Sequence, residues 1–153
     1  MPRMKWEIKN FTPDLILKDT SRKTLSKRIN NLKSTIKDYL ENETPENLHQ
    51  VRIAVRRLRY NMEVFISCFV RKQFLIFYNT IENLQDVTGK IRDADVLISN
   101  LNSISHPEGL NSIESVVKRI EIDNTQLREE LKLLLNEFLH GKDLKDFVKM
   151  LKK

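Results

Sequence analysis

His49, Arg52, Arg56 and Arg59 recur at spacings of three, four and three in the run Leu48-His49-Gln50-Val51-Arg52-Ile53-Ala54-Val55-Arg56-Arg57-Leu58-Arg59-Tyr60. At about 100° per residue the four fall within an arc of roughly 80° on a helix and form a ridge roughly 15 Å long. Arg57 stands about 100° round from Arg56 and belongs to another face. Cations this close repel one another, and helices commonly relieve the repulsion with acids three or four residues away. The nearby acid on this segment is Glu63, one turn beyond Arg59. Basic runs are often only solvated faces, but arginine at three ridge positions suits planar, multidentate contact with phosphate or carboxylate oxygens. The chemistry expected of the ridge is anion binding.

Two further groups could join it. Lys23, Lys27, Asn30, Ser34 and Lys37 step by four, three, four and three, a second line on which Lys23 and Lys27 are the leading cations. Lys90 and Arg92 stand beside Asp93 and Asp95, where Asp93 could hold Arg92 in one rotamer through a paired hydrogen bond. Gly89, one turn before Arg92, would let a ligand or another backbone come close. His49, His106 and His140 share no metal-ligand spacing, and Asp93 and Asp95, two apart, diverge on a helix, so neither a metal site nor a cofactor is expected. Without clustered carboxylates or a nucleophile beside a base, a catalytic role is not expected either.

The elements that must position these residues are helices. Leu25, Ile29, Leu32, Ile36 and Tyr39 trace one apolar stripe and predict a helix over about 20–41, preceded by a docked lead-in over 10–18. Thr44-Pro45-Glu46 carries a capping hydroxyl, a proline at the first helical position and an acid in the first turn, so a second helix should begin there. Its core face reads Leu48, Val51, Val55, Leu58, Met62, Phe65 and Phe69. A third stripe, Phe77, Leu84, Ile91 and Ile98, repeats every seven residues and runs through Gly89 without a phase change. That continuity argues for an unbroken helix rather than the turn of a helix-turn-helix. After the break at Ser105-His106-Pro107-Glu108-Gly109 a fourth stripe runs from Ile113, Val116 and Val117 to Phe138. Leu144, Phe147, Val148 and Leu151 then form a short amphipathic tail beyond Gly141.

The expected fold is therefore all-α, an antiparallel bundle of four long helices plus a short C-terminal helix, in one domain spanning 1–153. Composition agrees. Three Gly and four Pro in 153 residues are too few for the turns of a β-sandwich or barrel, and no apolar run reaches membrane-span length. One cysteine, Cys68, permits no intrachain disulfide, and the charged start Met1-Pro2-Arg3-Met4-Lys5-Trp6 lacks the core of a secretory signal, which points to the cytoplasm. With 27 Lys and Arg against 21 Asp and Glu the chain carries +6, unevenly: 14–40 and 45–72 each carry +4, while 108–140 carries −3.

The ridge segment, followed by Leu84-Gln85-Asp86-Val87-Thr88-Gly89-Lys90-Ile91-Arg92-Asp93-Ala94-Asp95-Val96-Leu97, resembles the two signature stretches of the conserved-histidine α-helical domain, the CHAD family. The first reads H-x-x-R-x-x-x-R-R-x-R, the second L-x-x-x-x-G-x-x-R-D-x-D-V-L, and the likeness covers about 20–105. It implies an all-helical bundle that binds inorganic polyphosphate on a basic surface. The binding residues it implies are His49, Arg52, Arg56, Arg57, Arg59 and Arg92, with Asp93 as orienting partner and Lys23 and Lys27 as looser matches. It also implies a cytoplasmic place beside polyphosphate granules. Members commonly hold two such bundles, whereas this chain has one copy of each motif.

Two questions stay open at this point. A nucleic-acid-binding helical protein is the alternative, since any basic face attracts phosphates, although Tyr60 is the main aromatic near the ridge for base stacking. The amphipathic tail could dock in its own bundle, leaving a monomer, or support a homodimer that restores a two-bundle arrangement.

Overall fold

A computed structural model describes residues 12–104 and 110–153 and, among these, five α-helices and no strand. They are α1 (Leu15–Glu41), α2 (Pro45–Phe65), α3 (Arg71–Asn102), α4 (Leu110–His140) and α5 (Lys142–Lys152), with a 3-10 turn over Ile66–Cys68 between α2 and α3. The expected architecture of four long helices and a short final one is what forms. The break expected at 105–109 lies outside the described residues.

Helix α1 starts earlier than its stripe suggests. Asp14 caps it, its carboxylate accepting from Leu17 N at 2.7 Å, so the last part of the expected lead-in, 15–18, is helix. Leu15 and Ile16 are 83% and 77% exposed, so these two do not dock as expected, whereas Pro13 is buried and Leu17 half-buried; Asn10 and Phe11 lie outside the described residues. Helix α2 begins where the capping signal places it, with Thr44 Oγ1 accepting from Asn47 N at 3.1 Å and Pro45 in the first turn. The side chain of Asn47 donates back to Asn42 O at 2.8 Å, closing the α1–α2 corner. The burial of Leu48, Val51, Val55, Leu58 and Met62 sets the rotation of α2, and hence the direction of its arginine ridge.

The apolar stripes meet in one core. Leu25, Ile29, Leu32, Ile36 and Tyr39 of α1, Leu48, Val51, Val55, Leu58 and Met62 of α2, and Phe77, Ile81, Leu84 and Ile91 of α3 are all buried. Ile98, at the far end of the third stripe, is only half-buried. On α4 the adjacent valines divide: Val117 is buried and Val116 is 50% exposed, because only one of two neighbours can face the bundle. Asn124 lies buried between Ile120 and Leu127, a polar position inside an apolar stripe.

Helix α5 closes the bundle that it follows. Phe147 packs into a cluster with Phe77 (ring centroids 4.2 Å apart), Phe74 (5.7 Å) and Phe69 (6.4 Å), and Leu144 and Leu151 are buried with it. Thr80 Oγ1 donates to Asp143 at 3.1 Å and ties α3 to the start of α5. The apolar face that could have supported a homodimer is thus occupied within the chain, and the expectation of a dimer loses the support of this face. Gly141 permits the turn into α5: a Cβ there would stand 2.5 Å from Glu137 O.

Candidate functional site

Helices α2 and α3 frame two clefts that meet at Arg52. The first, about 300 Å³, is lined by Pro45, Glu46, Leu48, His49, Arg52, Thr88, Arg92 and Asp95. The second, about 510 Å³, is lined by Arg52, Arg56, Tyr60, Gln85, Lys90 and Asp93, with Asp86 and Gly89. Both follow from periodicity. On α2, positions 49, 52, 56 and 60 share the face turned to α3; on α3, positions 85, 88 and 92 and positions 86, 90 and 93 supply the opposing wall.

Among the described residues, Arg52, Arg56 and Arg92 have no carboxylate within ion-pair distance, so their donors are available to an incoming anion. Arg56 lies over the Tyr60 ring, 5.7 Å from its centroid, an arrangement that steadies the guanidinium without spending its charge. Gly89 continues α3 unbroken, and a Cβ added there would meet no atom within 4 Å, so the second cleft is open at that point.

Arg59 has a different environment from its ridge neighbours. Its Nε donates to Glu63 Oε1 at 3.0 Å and to the Tyr78 hydroxyl at 3.1 Å, and its Nη2 lies 3.3 Å from Glu82 Oε1. Tyr78 in turn donates to Glu63 at 2.8 Å. The ridge is relieved at this end by two acids, one of them on α3. Arg57 and the lysines Lys23 and Lys27 line neither cleft; Lys23 is paired with Asp19 at 2.8 Å. Arg92 and Asp93 do not pair among the described residues, and they line different clefts. The aspartate held by an arginine is Asp95, which Arg128 of α4 grips with 2.9 Å bonds to both oxygens while Asn124 donates at 2.7 Å.

Burial, followed by Glu63, pushes the Tyr78 phenol up to about 12, against the downward pull of Arg59. An unfolded chain releases that proton near 10, so this contribution to stability is present below pH 10 and is lost as pH rises through about 12. A phenolate absorbance titration is expected to show a step near pH 12 that Tyr78→Phe removes. A step unaltered by that substitution would contradict the assignment.

A larger hollow, about 630 Å³, lies between α3, α4 and α5. Its lining offers one cation, Lys142, beside Glu137 and Asp143, so it is poorly suited to an anion. Among the described residues no three His, Cys, Asp or Glu side chains gather into a metal-binding group, and no helix is long and apolar enough to cross a membrane.

Fold and site together define an all-helical bundle with an arginine-lined groove between its second and third helices. The sequence matches the family model of the CHAD domain over residues 5–102, and the chain belongs to the CHAD family, a family of helical binding domains. No curated protein matches the sequence.

Proposed function

We propose that the chain is a non-catalytic module that binds inorganic polyphosphate along the α2–α3 groove. The carrying observation is the pair of clefts joined at Arg52, in which Arg52, Arg56 and Arg92 hold no acid partner among the described residues. His49 and Lys90 add donors at either side, and Gly89 leaves room for a chain to approach α3. Phosphate oxygens accept charge-assisted bonds from several such donors at once. Arg57, Lys23 and Lys27 extend the positive surround beyond the groove, and Arg59 holds α2 to α3 beneath it. Asp93 and Lys90 both line the second cleft, where Asp93 holds neither Lys90 nor its neighbour Arg92 in an ion pair among the described residues.

The exposed ring of Tyr60 in the second cleft favours one other ligand, single-stranded nucleic acid, whose bases could stack there. Competition of polyphosphate against single- and double-stranded nucleic acid, at matched phosphate and about 150 mM salt, separates the two. Polyphosphate is expected to bind more tightly, with log affinity falling against log salt at a slope of roughly −2 to −4, as a few cations displace counterions. Equal or tighter binding of the single strand would establish the nucleic-acid reading in its place.

A further inference from the structure

Asp95 is an acid on the wall of an anion-binding cleft, beside Arg52, Arg92 and His49. Left with its charge, it would repel a phosphate or fold onto the arginines meant for one. Arg128 prevents both. Its Nη2 lies 2.9 Å from each carboxylate oxygen, and Asn124, itself buried, adds a 2.7 Å bond to Oδ1. Both partners come from α4, outside residues 5–102 that match the family, and from a segment whose net charge is negative. Arg128 is therefore a cation on a helix of net negative charge, placed against the one carboxylate that α3 contributes to the first cleft.

We infer that Arg128 is a positioning residue for the anion site: by holding and neutralising Asp95 it keeps Arg52 and Arg92 available to phosphate. This inference rests on the polyphosphate reading above. It makes the affinity of a groove on α2 and α3 depend on α4, and it assigns opposite signs to the two halves of one ion pair. Removing Arg128 leaves Asp95 uncompensated and weakens binding. Removing the charge of Asp95 leaves Arg128 beside the cleft and does not weaken it. A purely structural pair behaves otherwise, since either substitution breaks the same α3–α4 link and both should then act in the same direction.

The test measures polyphosphate affinity of the full chain carrying Arg128→Gln, Asp95→Asn or both, with thermal melting to confirm the fold of each. Arg119→Gln serves as control, because it removes a cation from the same helix at a residue that lines neither cleft. Arg128→Gln is expected to weaken binding by roughly threefold to tenfold, the scale of one uncompensated charge several ångströms away. Asp95→Asn is expected to leave affinity unchanged or raise it, and the double variant to return close to the parent value. The control is expected to change affinity less than about twofold, as for an exposed and screened charge. Parent binding with both single variants weakened alike, or both unchanged, overturns the role of Arg128 while sparing the proposed function. Absence of polyphosphate binding by the parent chain overturns both.

Discussion

Alanine at Arg52 is expected to lower polyphosphate affinity by about tenfold to a hundredfold, the range for losing a charge-assisted bond or two. Arg52 borders both clefts, so a linear anion occupying either one meets it. It is partly buried and has no acid partner among the described residues, so its direction is restricted while its donors stay open. Arg56→Ala and Arg92→Ala each open one cleft and should follow. Arg59→Ala should affect binding less and folding more, because its donors already serve Glu63, Tyr78 and Glu82. Burial works against the charge of Arg59, but these partners outweigh it and hold its pKa above the usual value, as expected of a guanidinium already paired. Calorimetric titration of the single variants gives the order. Should Arg57→Ala or Arg59→Ala, with the fold intact, reduce affinity more than Arg52→Ala, the groove between α2 and α3 is not the binding site.

The largest effect on stability is expected at Phe147. Its ring is buried against Phe77, Phe74 and Phe69, and truncating an aromatic in such a setting destabilises by about 3–5 kcal/mol through lost transfer energy and the cavity left behind. At about 2–4 °C per kcal/mol for a chain of this size, Phe147→Ala should lower Tm by about 10 °C. Denaturant unfolding checks the energy, and light scattering of the parent chain should give the mass of one copy with or without a short polyphosphate. A loss below about 1 kcal/mol would mean that α5 does not close its own bundle, and a doubled mass would bring back the twofold arrangement.

How legible these features were depended on distance along the chain. The start of α2 could be read in Thr44, Pro45 and Glu46, because capping involves neighbours within one turn. The core faces could be read in their stripes, since burial repeats with the helix period. The arc of His49, Arg52 and Arg56 was legible for the same reason. Arg59 belonged to that arc by angle, yet its environment is set by Tyr78 and Glu82, which lie on another helix and leave no local trace. Asp93, adjacent to Arg92, was the natural partner in sequence; the pair that forms joins Asp95 to Arg128, 33 residues away. The one available sign was Arg128 standing among acids on α4. The apolar tail could be read as a face but not as a destination, because its own bundle and a second copy offer the same chemistry.

The short link between α2 and α3 bears on the order in which the molecule can assemble. Five residues, 66–70, join the two helices that frame the groove, whereas about 100 residues separate α1 from α5. Closing a loop of about 100 residues instead of about five costs roughly 2–3 kcal/mol more in chain entropy. The α2–α3 hairpin is therefore, like the α1–α2 corner, a low-contact-order part of the chain, and the docking of α5 onto α1 is a high one. Local opening that releases the C-terminal helix leaves that hairpin's own link intact, so amide protons of α5 should exchange through a smaller fluctuation than those of the paired helices that carry the arginines.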